Sequence, residues 1–225
     1  MMKFFVLNPE LDDKIKRIKT KIRLSMDGVV AEKLTTMGVI YKKNYGVSLP
    51  RLQVLANEFG QNYDVALRLW NMRERETMIL AILTMPLDKM NEALASEWML
   101  DISNIELSEQ MSMHLIPNLS FAKALCFKMM AHENDWPKIC AFQSLARMYA
   151  TISEQEVALV SQNVENLLET DNVYLQKSMA RCLSRFSRKH PGWVEKWAND
   201  TLRNCETNRT CAILNDEITQ ELKYF

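Results

Sequence analysis

The sequence predicts an all-α protein built as a stack of short antiparallel helices, on three observations. Only 5 glycines and 6 prolines among 225 residues leave little room for a strand-and-turn architecture. Apolar residues recur at helical spacing, between clear start and stop signals. Apolar pairs 12 residues apart recur at Leu69/Ala81, Met99/Met111, Met129/Ala141, Leu168/Ala180 and Leu202/Leu214, each bracketing a polar turn. Their starts lie 30, 30, 39 and 34 residues apart, which suits stacked helix-pair repeats. An irregular bundle that matches by chance is the alternative.

In chain order, Leu11, Ile15, Ile18 and Ile22 form one apolar stripe. Lys14, Lys16, Arg17, Lys19, Lys21 and Arg23 lie between them or just after, so the first helix is amphipathic and basic, its cations either solvated or set for phosphate. Gly28 opens a new segment, and Val29, Val30, Leu34 and Met37 predict a short helix before Gly38. Residues 45–85 organise the chain. Ser48 is a natural N-cap and Pro50 suits a first turn. Leu49, Leu52, Leu55, Ala56 and Phe59 recur at helical spacing until Gly60 stops the helix. Val65, Ala66, Leu69 and Trp70 make a second stripe. Residues 78–83 are apolar all round, so that helix is buried between neighbours, and Pro86 ends it. Ser103 is expected to cap a helix running to about Ile116, before Pro117, and Ser120 to start the next. Asn134 and Asp135 precede a helix at Trp136-Pro137; Ser153-Glu154-Gln155-Glu156 is a capping box; Pro191 opens a helix with Trp193 and Trp197 on one face. No linker composition divides the chain, so one domain over residues 1–225 is expected.

Lys plus Arg equals Asp plus Glu, 28 each, so any nucleic-acid role must come from local patches. The 5 cysteines are odd in number and lack a Cys-x-x-Cys, which predicts buried free thiols in a reducing compartment. The apolar group Phe4-Phe5-Val6-Leu7 is too short for a signal peptide, and the longest apolar run, residues 78–87, is too short and interrupted to span a bilayer. A cytoplasmic protein with no membrane partner is expected. His114, His132 and His190 are scattered, and there is no zinc pattern and no phosphate-cradling glycine loop, so no metal and no cofactor are expected.

Tyr45-Gly46-Val47-x-x-Pro50-x-Leu52-x-x-Leu55-Ala56, followed by Leu69-Trp70 and then Glu76-x-x-x-Leu80-Ala81, resembles the AlkD-type DNA alkylation-repair glycosylases. The resemblance runs from about Glu32 to about Ala198. It implies a right-handed α-solenoid of HEAT-like antiparallel helix pairs that holds DNA on its concave side. It also implies excision of cationic alkylpurines such as 3-methyladenine and 7-methylguanine.

Asn104-Ile105-Glu106-Leu107-Ser108-Glu109 resembles the motif Trp-Asp-x-x-Asp, which places Glu109 as the acid that stabilises the cationic sugar. Glu106 and Glu109, three apart, share a helical face, and two surface acids are the other reading. Three positions depart from the family pattern. Ile105 replaces a tryptophan. In Trp136-Pro137-Lys138-Ile139, isoleucine replaces the phosphate-holding arginine of Trp-x-x-Arg, with Lys138 adjacent. In residues 177–183, Arg181 stands where Lys-x-x-x-Trp-x-Leu has its tryptophan.

Lys177, Arg181, Arg185 and Arg188, spaced 4, 4 and 3, share one helical face opposite Leu175, Met179, Cys182, Leu183 and Phe186. Four cations along about 16 Å span a few successive phosphates. The expected function is DNA binding, to duplex or branched DNA, without excision or with altered activity. Backbone contacts come from Lys138, Lys177, Arg181, Arg185 and Arg188. The alternatives are an active glycosylase using Glu109 and a protein-binding scaffold without DNA.

Overall fold

The structure, a computed structural model, describes residues 8–205 and 208–224; the apolar group at residues 4–7 lies outside them. Thirteen α-helices are described: α1 (Pro9–Leu24), α2 (Gly28–Thr36), α3 (Leu49–Phe59), α4 (Tyr63–Asn71), α5 (Arg75–Thr84), α6 (Glu92–Leu100), α7 (Ile105–His114), α8 (Ala122–Met130), α9 (Asp135–Arg147), α10 (Glu154–Glu165), α11 (Val173–Ser187), α12 (Pro191–Thr201) and α13 (Arg209–Leu222). No strand occurs among the described residues. The chain divides into two compact units, one of residues 1–94 and 103–115, the other of residues 95–102 and 116–225.

In the first unit, α5 packs against α4, α3 and α7. Its apolar residues 78–82 are buried on every side, as expected of a helix apolar all round, and Arg75, Glu76 and Thr77 are buried with them. α1 buries Ile15, Ile18 and Ile22. Part of its basic face is held down, since Lys21 pairs with Glu58 and Arg17 lies 5.9 Å from the Phe59 ring centre; its Asp12 pairs with Arg68 of α4. α2 forms where expected but buries no residue, and Val29 stays 77% exposed. The segment after it is fixed by Gly46. At φ 71 that residue lies so close to α2 that an added Cβ would fall 1.9 Å from the Asp27 carbonyl oxygen.

Two helix starts differ from expectation. The cap of α7 is Asn104, not Ser103, because Asn104 Oδ1 accepts from Leu107 N at 3.0 Å while its Nδ2 donates to Ile40 O at 3.3 Å. α8 begins at Ala122 rather than Ser120, because a 3-10 turn over Ile116–Asn118 holds the preceding chain, with Leu119 N donating to Ile116 O.

In the second unit, α8 packs on α9, α11 lies between α9 and α13, and α12 packs on α11 and α13. The capping box forms: Ser153 Oγ accepts from Glu156 N at 3.3 Å, and Glu156 Oε2 accepts from Ser153 N at 2.7 Å. Burial works against ionisation of Glu156, but these bonds and Lys123 prevail and hold its carboxyl below the usual value. Cys126, Cys140 and Cys182 are buried free thiols, and burial pushes Cys126 and Cys182 well up. Cys205 and Cys211 depart from the free-thiol expectation and are disulfide-bonded. The turn into α13 brings their Cα atoms to 6.1 Å, within bridging range. No described helix is long and apolar enough to cross a membrane.

Candidate nucleic-acid interface

The two acids of α7 point to different environments. Glu106 is buried against Arg75, which grips it with two bonds, Nε to Oε2 at 2.8 Å and Nη2 to Oε1 at 2.7 Å. The Tyr41 hydroxyl donates to Oε2 at 3.0 Å. Arg75 Nη1 donates both to Glu76 Oε1 and to Val47 O at 2.8 Å. Glu76 accepts from Tyr45 N at 3.1 Å and Val47 N at 3.2 Å. Burial draws Arg75 down, but Glu106 and Glu76 outweigh it and leave the guanidinium above its ordinary value. Burial, then the Glu106 charge, pushes the Tyr41 hydroxyl far up. One cation and two carboxylates thus strap residues 41–47 to α5 and α7. Their oxygens are spoken for, so Glu106 and Glu76 serve the fold. Glu109, one turn on, lies on the exposed side of α7.

Ile105 is half-buried and Ile139 is fully buried in the core. Lys138 is half-buried and turned back on its own helix start. Its Nζ lies 3.1 Å from Asp135 Oδ1 and donates to Glu133 O at 3.4 Å.

α11 bears out the division read from its spacing: Leu175, Met179, Cys182, Leu183 and Phe186 are buried, while Lys177, Arg181 and Arg188 are exposed and Arg185 half-buried. The sequence reading missed what stands beside them. Arg181 Nη1 lies 3.3 Å from Glu217 Oε1, and Arg185 Nη1 lies 3.8 Å from Glu221 Oε1. Arg188 pairs with the same Glu221 oxygen and lies 5.8 Å from the Tyr149 ring centre. Both acids belong to α13. Their spacing of four repeats that of Arg181 and Arg185, which was the available signal. Lys177 forms no ion pair among the described residues.

The row keeps a cationic character. Burial, then the like charges of Arg188 and Arg181, holds Arg185 below its ordinary value, whereas the Glu221 bond raises Arg188. The Arg181–Glu217 pair is 59% and 38% exposed, so water weakens it and the guanidinium stays available to an anion. At the start of the row, the Tyr174 and Trp136 rings lie 5.7 Å apart. Asn172 Nδ2 donates to Asp135 Oδ2 at 3.0 Å and ties the two helix starts together. Among the described residues, no group of three or more His, Cys, Asp or Glu is placed to hold a metal.

Stacked helix pairs, with no strand among the described residues, define an all-α protein of the HEAT-like repeat class. The family model for the DNA alkylation repair enzyme matches residues 18–213, and the chain belongs to that family. Two solved structures share the fold. One represents a new family of proteins related to the HEAT-like repeat DNA glycosylases with affinity for branched DNA structures. It is 12% identical, with a TM-score of 0.76 over 93% of this chain and 94% of that one. The other is a predicted DNA alkylation repair enzyme from Enterococcus faecalis, 14% identical, with a TM-score of 0.53 over 87% of this chain and 96% of that one. No curated protein matches the sequence.

Proposed function

We propose that this member of the DNA alkylation repair family binds DNA by its sugar–phosphate backbone, through Lys177, Arg181, Arg185 and Arg188, and does not excise bases. The observation that carries this reading is the cation row along the exposed strip of an otherwise buried α11. Side chains of this kind serve phosphate and carry no sequence information. Lys138 joins the grip only by leaving Asp135. Against excision stand the replacements at the family's motif positions: Ile105 and Arg181 where tryptophans are expected, and Ile139 where a phosphate-holding arginine is expected. Branched DNA is a natural ligand to include beside duplex, since the structural neighbour described above has that affinity.

The test follows binding and base release on one alkylated duplex. The expected result is a retarded complex with no more than trace release of 7-methylguanine or 3-methyladenine. Robust release by the wild type that Glu109→Gln loses would make the chain a glycosylase with Glu109 as its acid. Failure to bind duplex or branched DNA at all would leave the cation row as solvated surface.

A further inference from the structure

We propose that Trp136 and Tyr174 form a stacking site for an unpaired nucleobase, set at the end of the backbone track on α11; this rests on the DNA-binding reading above. Four of the bulkiest aromatic side chains, Trp70, Trp98, Phe142 and Phe186, are fully buried. This pair is different. Tyr174 is 39% exposed and Trp136 half-buried, with ring centres 5.7 Å apart and planes inclined by 36°.

The pair is nonetheless fixed from below. Tyr174 and Trp136 each occupy the second position of their helices, and Asn172 bonds Asp135 across the gap. Lys138 balances the Asp135 charge at 3.1 Å, so that carboxylate presents less repulsion to a nearby phosphate. Tyr174 also belongs to the cationic face: positions 174, 177, 181, 185 and 188 are spaced 3, 4, 4 and 3 and run for about 21 Å along α11. A strand whose phosphates follow those cations delivers its end to the rings. A paired base keeps its faces inside the duplex stack, whereas an unpaired one has a face to offer. Cations along a backbone beside an aromatic platform are the combination that single-stranded nucleic acid requires.

The test measures the affinity of the full chain for a blunt duplex and for the same duplex carrying a single-stranded oligothymidine tail. The wild type is expected to prefer the tailed probe and to show quenching of tryptophan fluorescence that Trp136→Phe lacks. Trp136→Ala/Tyr174→Ala should lose roughly tenfold on the tailed probe, within the span set by stacking one base, and keep its affinity for the blunt one. Trp136→Phe/Tyr174→Phe should retain the preference. Should the double alanine variant fail to fold, Tyr174→Ala alone serves, because that ring is part-exposed. Equal wild-type affinity for the two probes, or a tail preference that survives the alanine variant, would overturn the stacking site while leaving the backbone grip standing. Loss of both affinities in Arg181→Glu/Arg185→Glu is the signature of that grip, and no binding of either probe by the wild type removes both proposals.

Discussion

Glu106 and Glu109 stand one helical turn apart, yet one closes a buried ion network and the other faces solvent. Removing Arg75 would strand two carboxylates in the core, so Arg75→Met should cost about 3–5 kcal/mol of folding stability. Glu106→Gln leaves Arg75 bonded to Glu76 and to the Val47 carbonyl, and should cost roughly 1–3 kcal/mol. Glu109→Gln, at an exposed position, should cost less than Glu106→Gln. Urea midpoints of the three variants check this order, and a Glu109 variant less stable than the Glu106 one would break it. The spacing of the two acids was plain in the sequence. Which of them turns inward is set by Arg75, thirty-one positions earlier, and no local pattern names that partner. The thiols can be read the same way. With the disulfide intact, Cys126, Cys140 and Cys182 should resist a thiol reagent in the folded protein and react once it is unfolded. Reaction at full rate in the native state would contradict their burial.

α11 and α13 show how one element sets the electrostatics of another. The apolar side of α11 fixes which strip of it faces out, and that was legible from periodicity alone. What the strip meets was not, because ion pairing between helices depends on their packing. Glu217 and Glu221 occupy three of the four cations, so in the proposed backbone grip α13 would compete with phosphate for the same guanidinium groups. Glu217→Gln/Glu221→Gln should therefore tighten DNA binding and steepen its log–log salt slope by roughly one, towards the limit of about −3.6 that four cations at about 0.9 each allow. The measurement is a salt titration of the variant beside the wild type. Unchanged or weaker binding would show that these acids do not compete with DNA. The missed starts of α7 and α8 have a local cause: Asn104 has a second bond to make, to the Ile40 carbonyl, and the 3-10 turn before α8 depends on contacts no cap residue announces.

Across the whole molecule, the formal charge is zero and the fold is that of a DNA-repair family, so binding has to be local and modest. The helix pairs were legible because most turns carry their own stop and start residues, those before α7 and α8 being the exceptions. The function of the family's usual cleft was legible only as a set of substitutions. The aromatic pair at Trp136 and Tyr174 was not legible, since two residues thirty-eight apart become neighbours only when α9 and α11 pack. The central claim is that the exposed row of α11 binds the DNA backbone. Its most direct test is the dissociation constant of a duplex as a function of salt, for the wild type and for Arg181→Glu/Arg185→Glu. The account predicts a wild-type log–log slope of roughly −1 to −3 and loss of binding in the variant. Affinity that ignores salt, or that the double charge reversal leaves unchanged, would contradict it.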